Sequence, residues 1–159
     1  RFEDLRDPYG IEFWPKFKGR DGCRTPMIWS AEQQNAGFSN VKPWLPVPEN
    51  HKLLAVDQQE SDPGSLLHHY RQFLKFRHRN QPLVKGTIEL ETINEEVFSF
   101  YRRYGNESVY CVFNLSNEVQ TIPRSAKRLT PLPDSGFGGT VEKQAIVVPA
   151  LDAFFGLSD

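Results

Sequence analysis

The chain has 159 residues, 38% of them hydrophobic and 25% charged, with a formal net charge of −1. That composition is ordinarily globular and suits one medium domain, or a small domain with an appended segment; it is too short for the roughly 250 residues of a complete (β/α)8 barrel. The near-neutral balance excludes an electrostatic pull toward nucleic acid or anionic membranes, and no apolar run approaches the roughly 20 residues of a membrane span.

Residues 1 to about 62 are rich in proline and lack sustained periodicity. Pro8-Tyr9-Gly10, Trp14-Pro15, Thr25-Pro26, Lys42-Pro43 and Pro46-Val47-Pro48 each punctuate the backbone. A structureless loop of this length is rare in a free-standing domain and is usually functional where it occurs. All three tryptophans, Trp14, Trp29 and Trp44, fall here. Dense aromatics without a periodic core imply packing against a larger body, or lining a pocket for a ring-shaped ligand. Arg1 has no apolar run behind it, so no signal peptide is expected.

Asp62-Pro63-Gly64-Ser65 reads as a helix start, with Asp62 as cap and Pro63 in the first position, where no donor is needed. The helix is expected from about Pro63 to Arg79. Its apolar stripe is Leu66, Tyr70, Phe73 and Leu74, flanked by Leu67 and Phe76. Arg77, His78 and Arg79 complement the dipole at its end, and Asn80-Gln81-Pro82 stops it.

From Val84 the pattern changes to short strands: Thr87–Glu91, Val97–Arg102, Val109–Asn114, Val119–Ile122, Lys127–Thr130 and Ala145–Val148, followed by an apolar tail from Leu151 to Leu157. Turns are expected at Asn94-Glu95-Glu96 and Tyr104-Gly105-Asn106-Glu107. Strands so closely spaced imply an antiparallel sandwich. Gly136-Phe137-Gly138-Gly139 lacks the Lys-Ser/Thr pair and the following helix of a phosphate loop, so it reads as a mobile turn.

His68 and His69 are helical neighbours pointing about 100° apart and cannot chelate one ion. Neither His51 nor His78 has a partner at ligand spacing, so no metal and no cofactor are expected. Cys23 and Cys111, far apart in the chain, make neither a zinc pattern nor a disulfide framework; two reduced thiols suit a cytoplasmic protein.

The densest chemistry lies in Gly19-Arg20-Asp21-Gly22-Cys23-Arg24-Thr25-Pro26-Met27, with Trp29 and then Ala36-Gly37-Phe38-Ser39. A guanidinium is planar, always charged and carries five donors, so it can grip vicinal hydroxyls and pair with a carboxylate at once. This run closely resembles the loop after the eighth barrel strand in α-glucosidases of glycoside hydrolase family 13. Glu3-Asp4-Leu5-Arg6-Asp7-Pro8-Tyr9-Gly10 and Phe13-Trp14-Pro15 are similar to the same group, and so is the later order of helix, Gly86 and small β-domain. The resemblance covers essentially the whole chain.

What the resemblance implies is an α+β fragment: a long Pro-rich loop and the last helix of a (β/α)8 barrel over residues 1–83, then an antiparallel β-sandwich C-terminal domain over 84–159. The parent would be a retaining exo-acting α-glucosidase releasing glucose from short α-linked oligosaccharides. Such enzymes place two carboxyl groups about 5 Å apart, and family members draw them from strands this chain lacks. No catalytic residue is therefore expected here, and Glu3, Asp4, Asp7, Glu12 and Asp21 read as solvated or arginine-paired. Asp21 is expected to pair with an arginine or cap a turn. Arg24 is the first candidate for substrate binding and Arg20 the second. The expected partners are an α-glucoside and the rest of the barrel. A sucrose isomerase, trehalose synthase or glucosyltransferase of the same family stays open, as do a carbohydrate-binding module and a catalytically dead relative.

Overall fold

The computed structural model describes residues 1–124 and 128–158. The chain divides into two compact units, residues 1–68 and 69–159.

The first unit is made of short helical turns. Asp7 caps helix α1 (Pro8–Glu12), its carboxylate accepting the N–H of Tyr9, with Pro8 in the first turn. Short 3-10 segments follow at Asp21–Cys23, Gln34–Gly37 and Glu49–Leu54, then helix α2 (Val56–Ser61). The sequence shows no periodic core over this region. It has instead a small core of Ile28, Ala36 and Ala55, with Ala31 and Val47 against it. The N–H groups of Val56 and Asp57 bond the carbonyls of Ile28 and Trp29, and the Asp57 carboxylate accepts the N–H of Ala31. Asn35, Ala36 and Gly37 are all left-handed, at φ 50°, 56° and 68°. The Ala36 carbonyl, accepting from both Trp29 and Ser30, and the Asn35 amide, donating to Ser39 and Val41, hold that unfavourable run.

Helix α3 (Leu66–Arg79) begins three residues later than Pro63. Asp62 spends its carboxylate on the Gly64 N–H, so the cap passes to Ser65, whose hydroxyl accepts the His68 N–H. At the other end the Asn80 amide donates to the Phe76 carbonyl, and the chain turns at once into α4 (Gln81–Lys85), with Pro82 in its first turn.

In the second unit, Phe73 and Phe76 of α3 and Leu83 of α4 join Phe137 and Phe155 in one aromatic-rich cluster, while Tyr70 and Leu74 stay exposed. The predicted single stripe is thus split between two faces. The strands are β1 (Thr87–Ile93), β2 (Val97–Tyr104), β3 (Glu107–Asn114), β4 (Gln120–Pro123), β5 (Leu129–Pro131), β6 (Thr140–Val141), β7 (Ala145–Val148) and β8 (Ala153–Ser158). The strand expected over Lys127–Thr130 opens on a residue outside the described ones and is β5 from Leu129. Two antiparallel sheets form, in the orders β1-β2-β3-β8-β5 and β4-β7-β6.

A core of Val97, Tyr101, Tyr110, Val112, Leu129, Ile146, Val148 and Phe154 draws on both sheets. The opposite face of β3 and β8 carries Val109, Cys111, Ala153 and Phe155 into the cluster with α3 and α4. The centre of the five-stranded sheet is therefore buried on both faces, which explains continuous apolar strands where alternation is absent. The tail expected after Leu151 is β8 itself. At the sheet's rim, β1 leaves Ile88, Leu90 and Ile93 exposed.

Asn114 ties two turns together. Its amide donates to the carbonyls of Glu118, Val148 and Pro149, and its oxygen accepts the Ser116 N–H. The glycine run near Phe137 is also fastened: the Gly138 N–H meets the Asp152 carboxylate, and the Gly139 N–H meets the Ala153 carbonyl. It is a pinned loop rather than the mobile turn expected.

Candidate functional site

The loop singled out by sequence is anchored by two buried carboxylates. Asp7 is 2% exposed and Asp21 6%. Asp21 Oδ2 accepts the N–H groups of Arg6 at 2.7 Å and Asp7 at 3.0 Å. Asp7 accepts the Tyr9 N–H on Oδ1 and the Arg20 N–H, at 2.9 Å, on Oδ2. The segments around residues 6–7 and 20–21 are thereby clasped from both sides. Close approach needs glycine at two places. A side chain on Gly10 would meet the Lys18 carbonyl, and one on Gly19 would lie 2.7 Å from Asp7 Cγ, with φ already at +66°.

Arg20 and Arg24 flank the 3-10 turn Asp21–Cys23, as its N-cap and C-cap. Arg20 Nε lies 3.2 Å from Asp7 Oδ2, an ion pair whose carboxylate side chain is 1% exposed and whose guanidinium side chain is 64% exposed. Among the described residues its Nη1 and Nη2 make no hydrogen bond. Arg24 bonds only through its main chain, its N–H meeting the Asp21 carbonyl, and its exposed guanidinium has no partner among the described residues. The backbone N–H of Arg20, its guanidinium and the Tyr9 N–H hold the Asp7 carboxyl below the usual carboxylate range.

Asp21 meets main-chain N–H groups of the neighbouring segment rather than an arginine side chain, and its buried Oδ1 has no hydrogen-bond partner among the described residues. The nearby acids Glu3 and Asp4 ion-pair with Arg1 at 3.2 Å. Sequence reasoning passed over Asp7 as one more loop carboxylate. The available signal was Asp7-Pro8, a cap followed by a first-turn proline, bracketed by the two glycines that let the segments touch.

The Cys23 thiol is exposed and bonds the Arg20 carbonyl; Cys111 is buried, and burial pushes its thiol up to about 12. Both are free. An apolar groove of about 300 Å³ is lined by Thr25, Pro26, Met27, Ile28, His51 and Leu54, and a wider hollow of about 790 Å³ lies around Glu32, Glu49 and Lys52. Neither arginine lines them. Trp29, Trp44, Tyr9 and Phe13 are each more than half exposed. Among the described residues no group of three or more His, Cys, Asp or Glu could hold a metal ion, and no helix is long and apolar enough to cross a membrane.

Comparison with known proteins matches residues 2–86 to the α-amylase catalytic-domain family. A protein of Rhizobium meliloti (strain 1021) named "Probable alpha-glucosidase" is 50% identical over 97% of this chain and 28% of its own length. The glucan 1,6-α-glucosidase of Streptococcus pneumoniae serotype 4 is 35% identical over 86% of the chain and 25% of its own length. Among solved structures, an α-glucosyl transfer enzyme, XgtA, superposes with a TM-score of 0.90 at 36% identity, covering 100% of this chain and 30% of that one. The chain thus spans about a quarter of the length of the curated relatives it matches.

Proposed function

The chain belongs to the α-amylase catalytic-domain family, glycoside hydrolase family 13, and from that premise we propose that it is the C-terminal part of a retaining, exo-acting α-glucosidase acting on short α-linked oligosaccharides. Residues 1–83 would be the last loop and helix of its barrel, and residues 84–159 its β-sandwich domain. The nucleophile and the acid/base then come from the rest of the barrel. Two sheets drawing on one core support the sandwich reading. The exposed aromatics of the first unit, and Tyr70 and Leu74 on α3, are surface of the kind a larger body covers.

The observation that carries the reading is the posture of the loop. Its two buried carboxylates are occupied by main-chain N–H groups, and the depressed Asp7 cannot serve as an acid near neutrality. Its two arginines, by contrast, keep donors open. This piece then binds sugar rather than cleaving it, with Arg20 and Arg24 as the substrate contacts. Arg20 is the better held of the two; Arg24, first by sequence, has only its main chain fixed. The free thiols support a reducing, cytoplasmic setting.

The test is kinetic. The full-length protein should hydrolyse p-nitrophenyl α-glucoside, and Arg20→Ala or Arg24→Ala should each lower kcat/KM by about tenfold or more, since truncating one partner of a charged hydrogen bond costs about 2–5 kcal/mol. The 159-residue chain alone should give no turnover; hydrolysis by it would refute the assignment of catalysis elsewhere. The likeness to an α-glucosyl transfer enzyme favours a second reading, glucosyl transfer. Product analysis at high glucoside concentration separates them: free glucose for hydrolysis, longer glucosides for transfer.

A further inference from the structure

Arg20 reaches Asp7 through a single side-chain nitrogen. The carboxylate it meets is itself immobile: buried, bonded to Tyr9 on its other oxygen, and packed so closely against Gly19 that no side chain fits between. The same oxygen takes both the main-chain N–H and the Nε–H of Arg20, pinning that residue at its backbone and again near the end of its side chain. The four remaining N–H bonds, on Nη1 and Nη2, stand on the exposed side of the pair. Arg24 has no comparable support.

Resting on the reading that this loop meets the sugar, we propose that Asp7 is a positioning residue: it holds Arg20 by Nε so that the Nη1/Nη2 fork is presented, already ordered, to vicinal hydroxyl oxygens. A flexible arginine must lose rotamer freedom on binding; one clamped at Nε has lost most of it beforehand. Asp7 touches no substrate in this scheme and acts only through Arg20. Because the carboxyl is held below the usual range, the clamp stays charged across the neutral region.

The experiment is a double-mutant cycle in the full-length protein, read as kcat and KM on p-nitrophenyl α-glucoside beside thermal melting. Arg20→Ala is expected to lower kcat/KM about tenfold or more. Asp7→Asn, which keeps an acceptor but not the charge, is expected to lose about fivefold, chiefly in KM. The double variant should match Arg20→Ala within about twofold, because the clamp has nothing left to hold. A merely structural Asp7 would give losses that multiply. If wild type does not turn over the glucoside, or Arg20→Ala leaves it unchanged, the reading of the loop fails. If Arg20→Ala is impaired while Asp7→Asn runs at the wild-type rate, or the two losses multiply, the positioning role fails and the loop reading stands. Should Asp7→Asn not fold, Arg20→Lys decides with Asp7 intact. A single ammonium serves the carboxylate or the sugar but not both, so a loss like that of Arg20→Ala is expected, and a wild-type rate would overturn the proposal.

Discussion

Asp7 and Asp21 hold each other's strand of chain: Asp21 accepts the N–H of Asp7, and Asp7 accepts the N–H of Arg20, the residue before Asp21. Each carboxylate therefore needs the other in place. Asp21→Ala frees the N–H groups of Arg6 and Asp7 in a partly buried setting and should cost about 2–3 kcal/mol of stability. Asp21→Asn, which still accepts, should cost less. Denaturant unfolding measures both; an alanine variant as stable as wild type would mean the clasp contributes nothing.

The same clasp sets a pH dependence. The Asp7 carboxyl is depressed below its ordinary 3.8 mainly by the Arg20 N–H, and Asp57 is depressed by the Ser30 hydroxyl and the Ala31 N–H. For a group lowered in the native state, the stabilisation is complete above the unfolded pKa and is lost as pH falls through the native one. Melting temperature should hold steady down to the ordinary carboxylate range and fall below it. The curves of wild type and Asp7→Asn should converge at acid pH, and a gap that widens there would contradict the sign.

Asn114 should be the most sensitive polar position of the second unit. Asn114→Ala removes the two N–H donors shared among the carbonyls of Glu118, Val148 and Pro149, of which Glu118 keeps the Ser116 hydroxyl, and should cost about 2–3 kcal/mol. Asn114→Asp places an acceptor against those carbonyls and should cost more than alanine. If aspartate proved the milder change, the amide would not be acting as the donor.

Thiol labelling checks burial directly. Native protein should react at Cys23 alone, since Cys111 is 1% exposed and its thiol stays protonated up to about 12. In denaturant both should react. Two fast native thiols would show that β3 opens readily.

How much of this was legible in the residues follows from how local each signal was. The hairpin of β2 and β3 was readable because Gly105, at φ +57°, sits between strands whose registers are adjacent. Helix α3 was readable from its stripe, but its start was not, because the Asp62 carboxylate closes on the Gly64 N–H and leaves the cap to Ser65. Strand β8 was missed because Ala153, Phe154, Phe155 and Gly156 are all buried, so no alternation marks it. Helix α1 was missed because five residues around a glycine carry no periodicity. In the site, both arginines were visible as residue types. Their difference was not: it lies in a partner 13 positions away that is brought close by two glycines.

Strand β1 has one last consequence. It is the terminal strand of its sheet, with one side of its backbone unpaired among the described residues, and it shows Ile88, Leu90 and Ile93 to solvent. An open edge of that kind offers a template to a second copy, against which stand only the register shift between Leu90 and Thr92 and the charges of Glu89 and Glu91. Produced by itself at high concentration, the 159-residue chain should therefore self-associate edge to edge, and a lysine at Leu90 should keep it monomeric in sedimentation.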